Sequence, residues 1–309
     1  MNKKKFKQSK LIKSIKGERK MSKKIISIFA AAALAATMLA GCGQESSNEG
    51  ASGTITVITR EDGSGTRGAF IELTGVEEKD ADGNKSDKTT LSALTSKSTD
   101  AVLTQVKGDV NAIGYISLGS MNDDVKALKI EGVEATVENI KADKYAIARP
   151  FNIATKGDVS EAASDFIKYI LSADGQKVIS DNGYVTIDDS AEAYTPADVS
   201  GTIKINGSSS VTPVMTKLKE AYEKVNDKVE IEIQQTDSST GMKTVASGSC
   251  DIGMASRELK DTESDLTGTT IAKDGIAIIV NPNNELDDIS VENVRKIYVG
   301  EIENWEDVK

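Results

Sequence analysis

Four stretches of this sequence place glycine and hydroxyl side chains directly after an apolar run. They are Arg60-Glu61-Asp62-Gly63-Ser64-Gly65-Thr66, Gly207-Ser208-Ser209-Ser210, Thr236-Asp237-Ser238-Ser239-Thr240-Gly241 and Ala255-Ser256-Arg257. Each puts hydroxyls and unpaired backbone N–H groups at the start of a helix. A helix start presents free donors and roughly half a positive charge, so it favours anions. Four such turns converging would form a cage of neutral dipoles with Arg60 as the full counter-charge. A tetrahedral oxyanion suits that cage, because its oxygens accept many hydrogen bonds at once. Charge-assisted bonds of ~1.5–3 kcal/mol each suffice, in a handful, for micromolar binding after the cost of association. The alternative is ordinary helix capping, which Ser, Thr and Asp perform in any α/β protein. The GSGT turn also lacks the Gly-Lys-Ser/Thr ending of a nucleotide-binding phosphate loop.

Composition narrows the chemistry. The chain has no histidine, which removes Ser-His-Asp and Cys-His catalysis, histidine metal sites and the usual general base near neutral pH. No cofactor, metal or catalytic residue is expected. The first 41 residues hold ten lysines and one arginine against a single acid, so the other 268 carry a formal charge of −20 where the whole chain has −10. That surface argues against nucleic acid or anionic membrane as partners. The basic start, the apolar run Ile25 to Leu39 and the small residues before Cys42 read as a secretory signal. Leu39-Ala40-Gly41-Cys42 resembles a bacterial lipobox, which makes Cys42 the lipid attachment site and residues 42–52 a flexible tether. Met21 also begins a complete signal. Only Cys250 then remains, too few for a disulfide framework, and it reads as a small buried residue of a strand.

The elements that must position these turns alternate. TITVI, AIGYIS, TIKIN, VEIEIQQ, CDIGMA and GIAIIV read as strands. The helices expected are RGAFIELT, Asp100 to Lys107, a short one near Val137, Ser160 to Leu171, one with Val211, Met215, Leu218 and Tyr222 on one face, and Met242 to Ala246. EEKDADGNKSDKTT reads as a surface loop and TPADVSG as a linker. This alternation predicts an α/β fold with mostly parallel sheets, whose ligands bind at the carboxyl ends of strands.

Residues 203 to 280, with GSSSVTP, QQTDSSTGMK, CDIGMASRELKD and IAKDGIAIIVNP, resemble the start of the phosphate-binding lipoproteins of bacterial ABC transporters. VITREDGSGTRGAF resembles their central phosphate loop, and YVGEIENW, RPFNIATK and ILSADGQKVISDNGYV match other segments. The resemblance implies a two-domain, periplasmic-binding-protein-like fold with a hinge, closing on one phosphate for delivery to a permease. The segment order departs from the family, in which GSSSVTP comes first and the segment like GEIENW runs into the central loop. The chain therefore reads as circularly permuted, with Gly53 and Lys309 expected close together. The resemblance implies domain two at 53–149 plus 281–309 and domain one at 150–280, hinged near Tyr145 to Phe151 and Val280 to Asn284. It assigns phosphate contacts to Arg60, Ser64, Gly65, Thr66, Ser209, Ser210, Ser238 and Ser256. Asp62 is to hold the Arg60 fork, and Arg257 to pair with an acid at the domain edge. Ser256 stands where some members carry an Asp that accepts the proton of phosphate and so rejects sulfate. A lipid-anchored, extracytoplasmic, monomeric receptor that binds without chemistry is the expected function. Sulfate, molybdate or tungstate as the ligand, a surface phosphatase using Ser64, and an adhesin are the alternatives.

Overall fold

The computed structural model describes residues 50–80 and 84–308; the signal segment, Cys42 and Lys309 lie outside them. Eight principal strands follow in chain order: β1 (Thr56–Arg60), β2 (Leu94–Ser96), β3 (Ala112–Ser117), β4 (Ala148–Thr155), β5 (Gly201–Ser208), β6 (Val229–Thr236), β7 (Ile252–Ala255) and β8 (Thr267–Val280). They hydrogen-bond in the order β6-β5-β7-β4-β8-β3-β1-β2. Each flank is parallel, β6 and β7 with β5 on one side and β2 and β3 with β1 on the other. The centre is antiparallel, where β8 runs against β4 over Thr267–Gly275 and then against β3 over Ile276–Val280. The α/β, mostly parallel expectation holds at both flanks.

The helices are α1 (Gly65–Thr74), α2 (Thr99–Gly108), α3 (Val137–Lys141), α4 (Glu161–Leu171), α5 (Ala173–Asp181), α6 (Thr212–Val225), α7 (Ser238–Ala246) and α8 (Val291–Val299). Their starts follow from local chemistry. Ser64, Ser98 and Asp237 each accept a backbone N–H of the first turn of α1, α2 and α7. In α6 Pro213 sits in the first turn, where its missing N–H costs least. Val211, Met215, Leu218 and Tyr222, spaced for one face, are all fully buried. Gly75 ends α1 at φ 75°, a left-handed position that glycine takes without a Cβ penalty. The polar segment expected to be a plain loop contains a small antiparallel hairpin instead, Glu77–Lys79 on Lys85–Asp87.

Buried side chains sort into two large groups. One holds Ile55, Phe70, Ile113, Tyr115, Ile147, Ile278, Ile297, Tyr298 and Trp305. The other holds Phe151, Phe166, Ile203, Leu218, Tyr222, Ile252, Met254 and Ile271. The last residues of the chain thus pack with its first strand, and the Tyr298 hydroxyl donates to the Ile58 carbonyl at 3.0 Å. On β4 the passage between the groups falls between Ala148 and Phe151. On β8 it falls near Gly275, not after Val280, because Ile276, Ile278 and Val280 pack in the first group. Among the described residues no helix is long and apolar enough to cross a membrane.

Candidate functional site

Arg60 ends β1 with its side chain only 2% exposed. Its backbone N–H donates to the Tyr115 hydroxyl at 3.1 Å, and Thr59 Oγ1 lies 2.9 Å from the same oxygen. Burial pushes the Tyr115 phenol up, so it stays a neutral hydrogen-bonding post beneath the strand end. The guanidinium is held by Glu61, not by Asp62: Nε and Nη2 donate to the two Glu61 carboxylate oxygens at 2.8 and 2.7 Å. Asp62 is 97% exposed and pairs with Arg67 at 3.1 Å, so the expected Asp62–Arg60 fork is corrected. At the end of a strand, the residue next to Arg60 folds back along the guanidinium, while the one after it turns out to solvent. Arg67 Nη1 in turn donates to the Arg60 carbonyl at 2.6 Å.

Around Arg60 the hydroxyls of several distant turns meet. Arg60 Nη2 donates to Ser209 Oγ at 3.0 Å, and its Nη1 reaches Thr99 Oγ1 at 3.5 Å. Thr66 Oγ1 lies 2.8 Å from Ser210 Oγ and 3.5 Å from Ser256 Oγ. Thr99 Oγ1 lies 3.4 Å from Ser209 Oγ and 3.3 Å from Ser210 Oγ. Ser256 Oγ is 3.0 Å from Ser208 Oγ and 3.5 Å from Ser238 Oγ, and the Ser256 N–H donates to Ser238 Oγ at 3.2 Å. All of these side chains are buried.

Ser64 caps α1, its oxygen accepting from the Arg67 N–H at 3.2 Å, which leaves its own proton free to donate. Gly65 sits where a β carbon would lie 2.4 Å from Ser238 Oγ and 2.8 Å from Ser256 Oγ, so only glycine lets these turns approach. The starts of α1, α2, α6 and α7 therefore face one buried cluster, and their first-turn N–H groups lack intrahelical partners. Every sequence-assigned contact from Arg60 to Ser256 lies in or beside it. Arg257 donates two bonds of 2.8 and 2.7 Å to the Glu263 carboxylate.

Glu61 and Ser208, which lie in the turns read from the sequence without an assigned contact, and Thr99 and Tyr115, which were not read from it, complete the cluster. Thr99 had a signal, since Ser98-Thr99-Asp100 is a capping sequence, but the strand before it, LTS, is too short and polar to stand out. β2 pairs in parallel with β1, Ser96 against Arg60, and that register brings the two strand ends together.

Chemically, the cluster is one guanidinium among hydroxyls and helix starts, with no carboxylate bonded to the hydroxyls among the described residues. Each hydroxyl can donate one proton and also accept. No group of three or more Cys, Asp or Glu is placed to hold a metal ion among the described residues. The arrangement can surround an anion with fixed dipoles at low reorganisation cost.

A sequence profile described as the PBP superfamily domain matches residues 28–174 and 192–309. The phosphate-binding protein PstS 2 of Streptococcus agalactiae serotype V is 53% identical over 289 residues, 92% of this chain and 98% of that protein. The chain belongs to the PBP superfamily, among the PstS phosphate-binding proteins. Within this family, PstS 2 of Streptococcus pneumoniae serotype 4 is 43% identical over 93% of this chain and 99% of its own length. A solved structure titled as the phosphate-binding protein of a phosphate ABC transporter from S. pneumoniae TIGR4 superposes with a TM-score of 0.67 at 44% identity. It covers 83% of this chain and all of its own. The two streptococcal PstS 2 proteins thus align with this chain over nearly their whole lengths, and the pneumococcal structure matches its fold over all of its own length.

Proposed function

We propose that this chain is an extracytoplasmic receptor that captures inorganic phosphate between two jaws and passes it to an ABC permease, making and breaking no covalent bond. The observation that carries this reading is the cluster itself. Arg60, Ser64, Gly65 and Thr66 come from the stretch that joins β1 to α1, and Ser209, Ser210, Ser238 and Ser256 from the turns after β5, β6 and β7, yet they meet around one point. A ligand there is bonded from both sides at once and is dehydrated. Association with the phosphate-binding proteins named above supports the choice of anion.

On this reading domain two comprises residues 53–149 and 276–309 and domain one residues 150–275, since Ile276, Ile278 and Val280 pack with the first group. The domains swing about the β4–β8 pair, and ligand contacts from both jaws favour the closed form. Cys42, lipidated, tethers a monomer to the outer face of the cell membrane through residues 42–52. The segment order is that of a circular permutation relative to the family pattern, one that the streptococcal relatives share over 98 and 99% of their lengths.

One observation favours a second reading within the same fold. With a hydroxyl at Ser256 and no carboxylate bonded to the cluster's hydroxyls among the described residues, sulfate, molybdate or tungstate could replace phosphate. Calorimetric titration of ligand-free protein with phosphate and with sulfate decides between them. Phosphate is expected to bind at micromolar concentration or tighter, about −8 kcal/mol or better. Arg60→Ala is expected to weaken it by about 100-fold or more, since charge-assisted bonds of ~1.5–3 kcal/mol are lost. Equal affinity for sulfate overturns phosphate as the specific ligand, and heat-silent titrations with every oxyanion overturn the receptor.

A further inference from the structure

Two of the turns that meet at the anion cluster also touch each other through Gly63, Asp237 and Ser239. Gly63, in the turn before α1, accepts from the Ser239 N–H at 3.2 Å. A β carbon on Gly63 would lie 2.2 Å from Asp237 Oδ1 and 2.6 Å from Asp237 Cγ. That carboxylate cannot simply swing aside. It caps α7, accepting from the Thr240 N–H at 2.8 Å and the Thr240 hydroxyl at 2.6 Å. Gly63 does not have a positive φ. Its backbone is one that any residue adopts, so the glycine is required only by the closeness of the opposite turn.

We propose that Gly63 is a positioning residue for jaw closure. Its contact with Asp237 and Ser239 is a latch across the cleft that sets how far the two turns approach, and through that how long the anion stays. The proposal rests on reading the cleft as a phosphate trap. A methyl group at position 63 holds the turns apart until Asp237 reaches an ordinary contact distance. Bonds that now span the cleft, such as Arg60 to Ser209 at 3.0 Å, then stretch past the range in which hydrogen bonds hold. All direct anion contacts remain chemically intact. The anion is caught by one jaw as before and released sooner, which places the effect in the dissociation rate.

The test compares wild type, Gly63→Ala, Asp237→Gly and the double variant by stopped-flow binding of inorganic phosphate, with thermal unfolding of each as a check on folding. Glycine is itself a favourable N-cap residue, so Asp237→Gly removes the obstructing carboxylate and keeps α7. Gly63→Ala is expected to raise the dissociation rate about tenfold or more, with the association rate within about twofold. The double variant is expected to return to the rate of Asp237→Gly. Wild-type kinetics for Gly63→Ala, or a faster release that the double variant does not reverse, overturns the latch. A distance measurement between spin labels at Glu72→Cys and Lys243→Cys, without phosphate, separates this from the functional reading. If wild type binds no phosphate, the receptor fails on its own account. The latch then stands only if Gly63→Ala lengthens the distance and the double variant shortens it again; an unchanged distance overturns it.

Discussion

Arg60 is followed by two acids and uses the nearer one. Glu61 occupies the Nε–Nη2 edge of the guanidinium, which aims the remaining N–H groups at the serine jaw. Glu61→Ala is therefore expected to weaken phosphate binding about tenfold, roughly one charge-assisted hydrogen bond. Asp62→Ala, at a position 97% exposed, is expected to leave affinity within about twofold; exposed pairs such as Asp62–Arg67 are worth ~0–1 kcal/mol. Calorimetry on both variants checks the assignment. The residue types of the site were legible in the sequence because strand, glycine and hydroxyl follow one another in a fixed order. The choice between Glu61 and Asp62 was not, because it depends on which way each side chain leaves the strand end. Glu263 gives the pH dependence at this scale. Burial pushes its carboxyl up, but the Arg257 bonds and the Lys260 N–H outweigh that and leave it below the usual value of 4.5. A carboxyl lowered by folding contributes stability fully above the unfolded value, and the contribution is lost as pH falls through the folded one. Glu263→Gln should therefore be less stable than wild type at pH 7, and the gap should narrow on acidification below about pH 4.5. Urea unfolding across that range measures it.

Among the elements, β4 and β8 carry the passage between the two cores, and their register puts Arg149 opposite Asp274. The pair is 3.1 Å apart with both side chains 1% exposed. Arg149 Nε and Nη1 have no protein partner, so the guanidinium rests on its contact with Asp274, which also accepts from the Gly119 N–H at 3.4 Å, and on packing near the Phe151 ring. Removing one member leaves the other as an uncompensated buried charge, at a cost of about 3–5 kcal/mol. Arg149→Met should lose that much in denaturant unfolding, and Arg149→Met with Asp274→Leu should recover most of it. No recovery would mean that the pair acts through its shape and not its charge. β8 itself shows what element patterns conceal. GIAIIV reads as a strand, yet the strand begins eight residues earlier, at Thr267. TGTTIAKDG looks like a polar loop because Asp274 is charged and Gly275 flexible. In the fold Asp274 is paired with Arg149, and a β carbon at Gly275 would lie 2.6 Å from Ile140 Cδ1. Likewise α7 starts at Ser238 and not Met242. Ser, Thr and Gly are weak helix formers, and the Asp237 cap with the opposing turn offsets that.

At the scale of the whole molecule, the order of segments is separable from the site they build. The two ends of the described chain are joined by pairing: Thr54 bridges Asn304, the Ile55 N–H donates to the Glu303 carbonyl at 2.8 Å, and the Trp305 N–H donates to the Gly53 carbonyl at 2.9 Å. The Gly53 N–H also donates to Glu306 at 2.8 Å. Lys309 lies outside the described residues, but its neighbours already sit on the first strand. At the other candidate junction, residues 191–200 have no regular structure and are mostly exposed. Residues 191–194 are fastened by the Ala173 N–H to the Glu192 carbonyl at 2.8 Å, the Tyr194 N–H to Asp174 at 2.7 Å and the Tyr194 ring against Tyr169 and Tyr222. Residues 197–198 are fastened by Asn226 to the Ala197 carbonyl at 3.3 Å and Lys228 to Asp198 at 2.6 Å, which leaves Thr195 and Pro196 between them. If the chain is a permutation, rejoining and recutting it at these places should restore an equivalent protein. A chain opened between Thr195 and Pro196, both exposed, with a short linker from Asp307 to Gly53, is expected to fold and to bind phosphate within about threefold of wild type. Ends that lie close on the surface tolerate such rearrangement, and each doubling of a loop's length changes closure by only ~0.6 kcal/mol. Phosphate at 100 Kd should stabilise both chains alike, by ~2.7 kcal/mol. A rearranged chain that folds but is not stabilised would show that the present order positions the jaws, because the site would then depend on a connection that none of its residues touches.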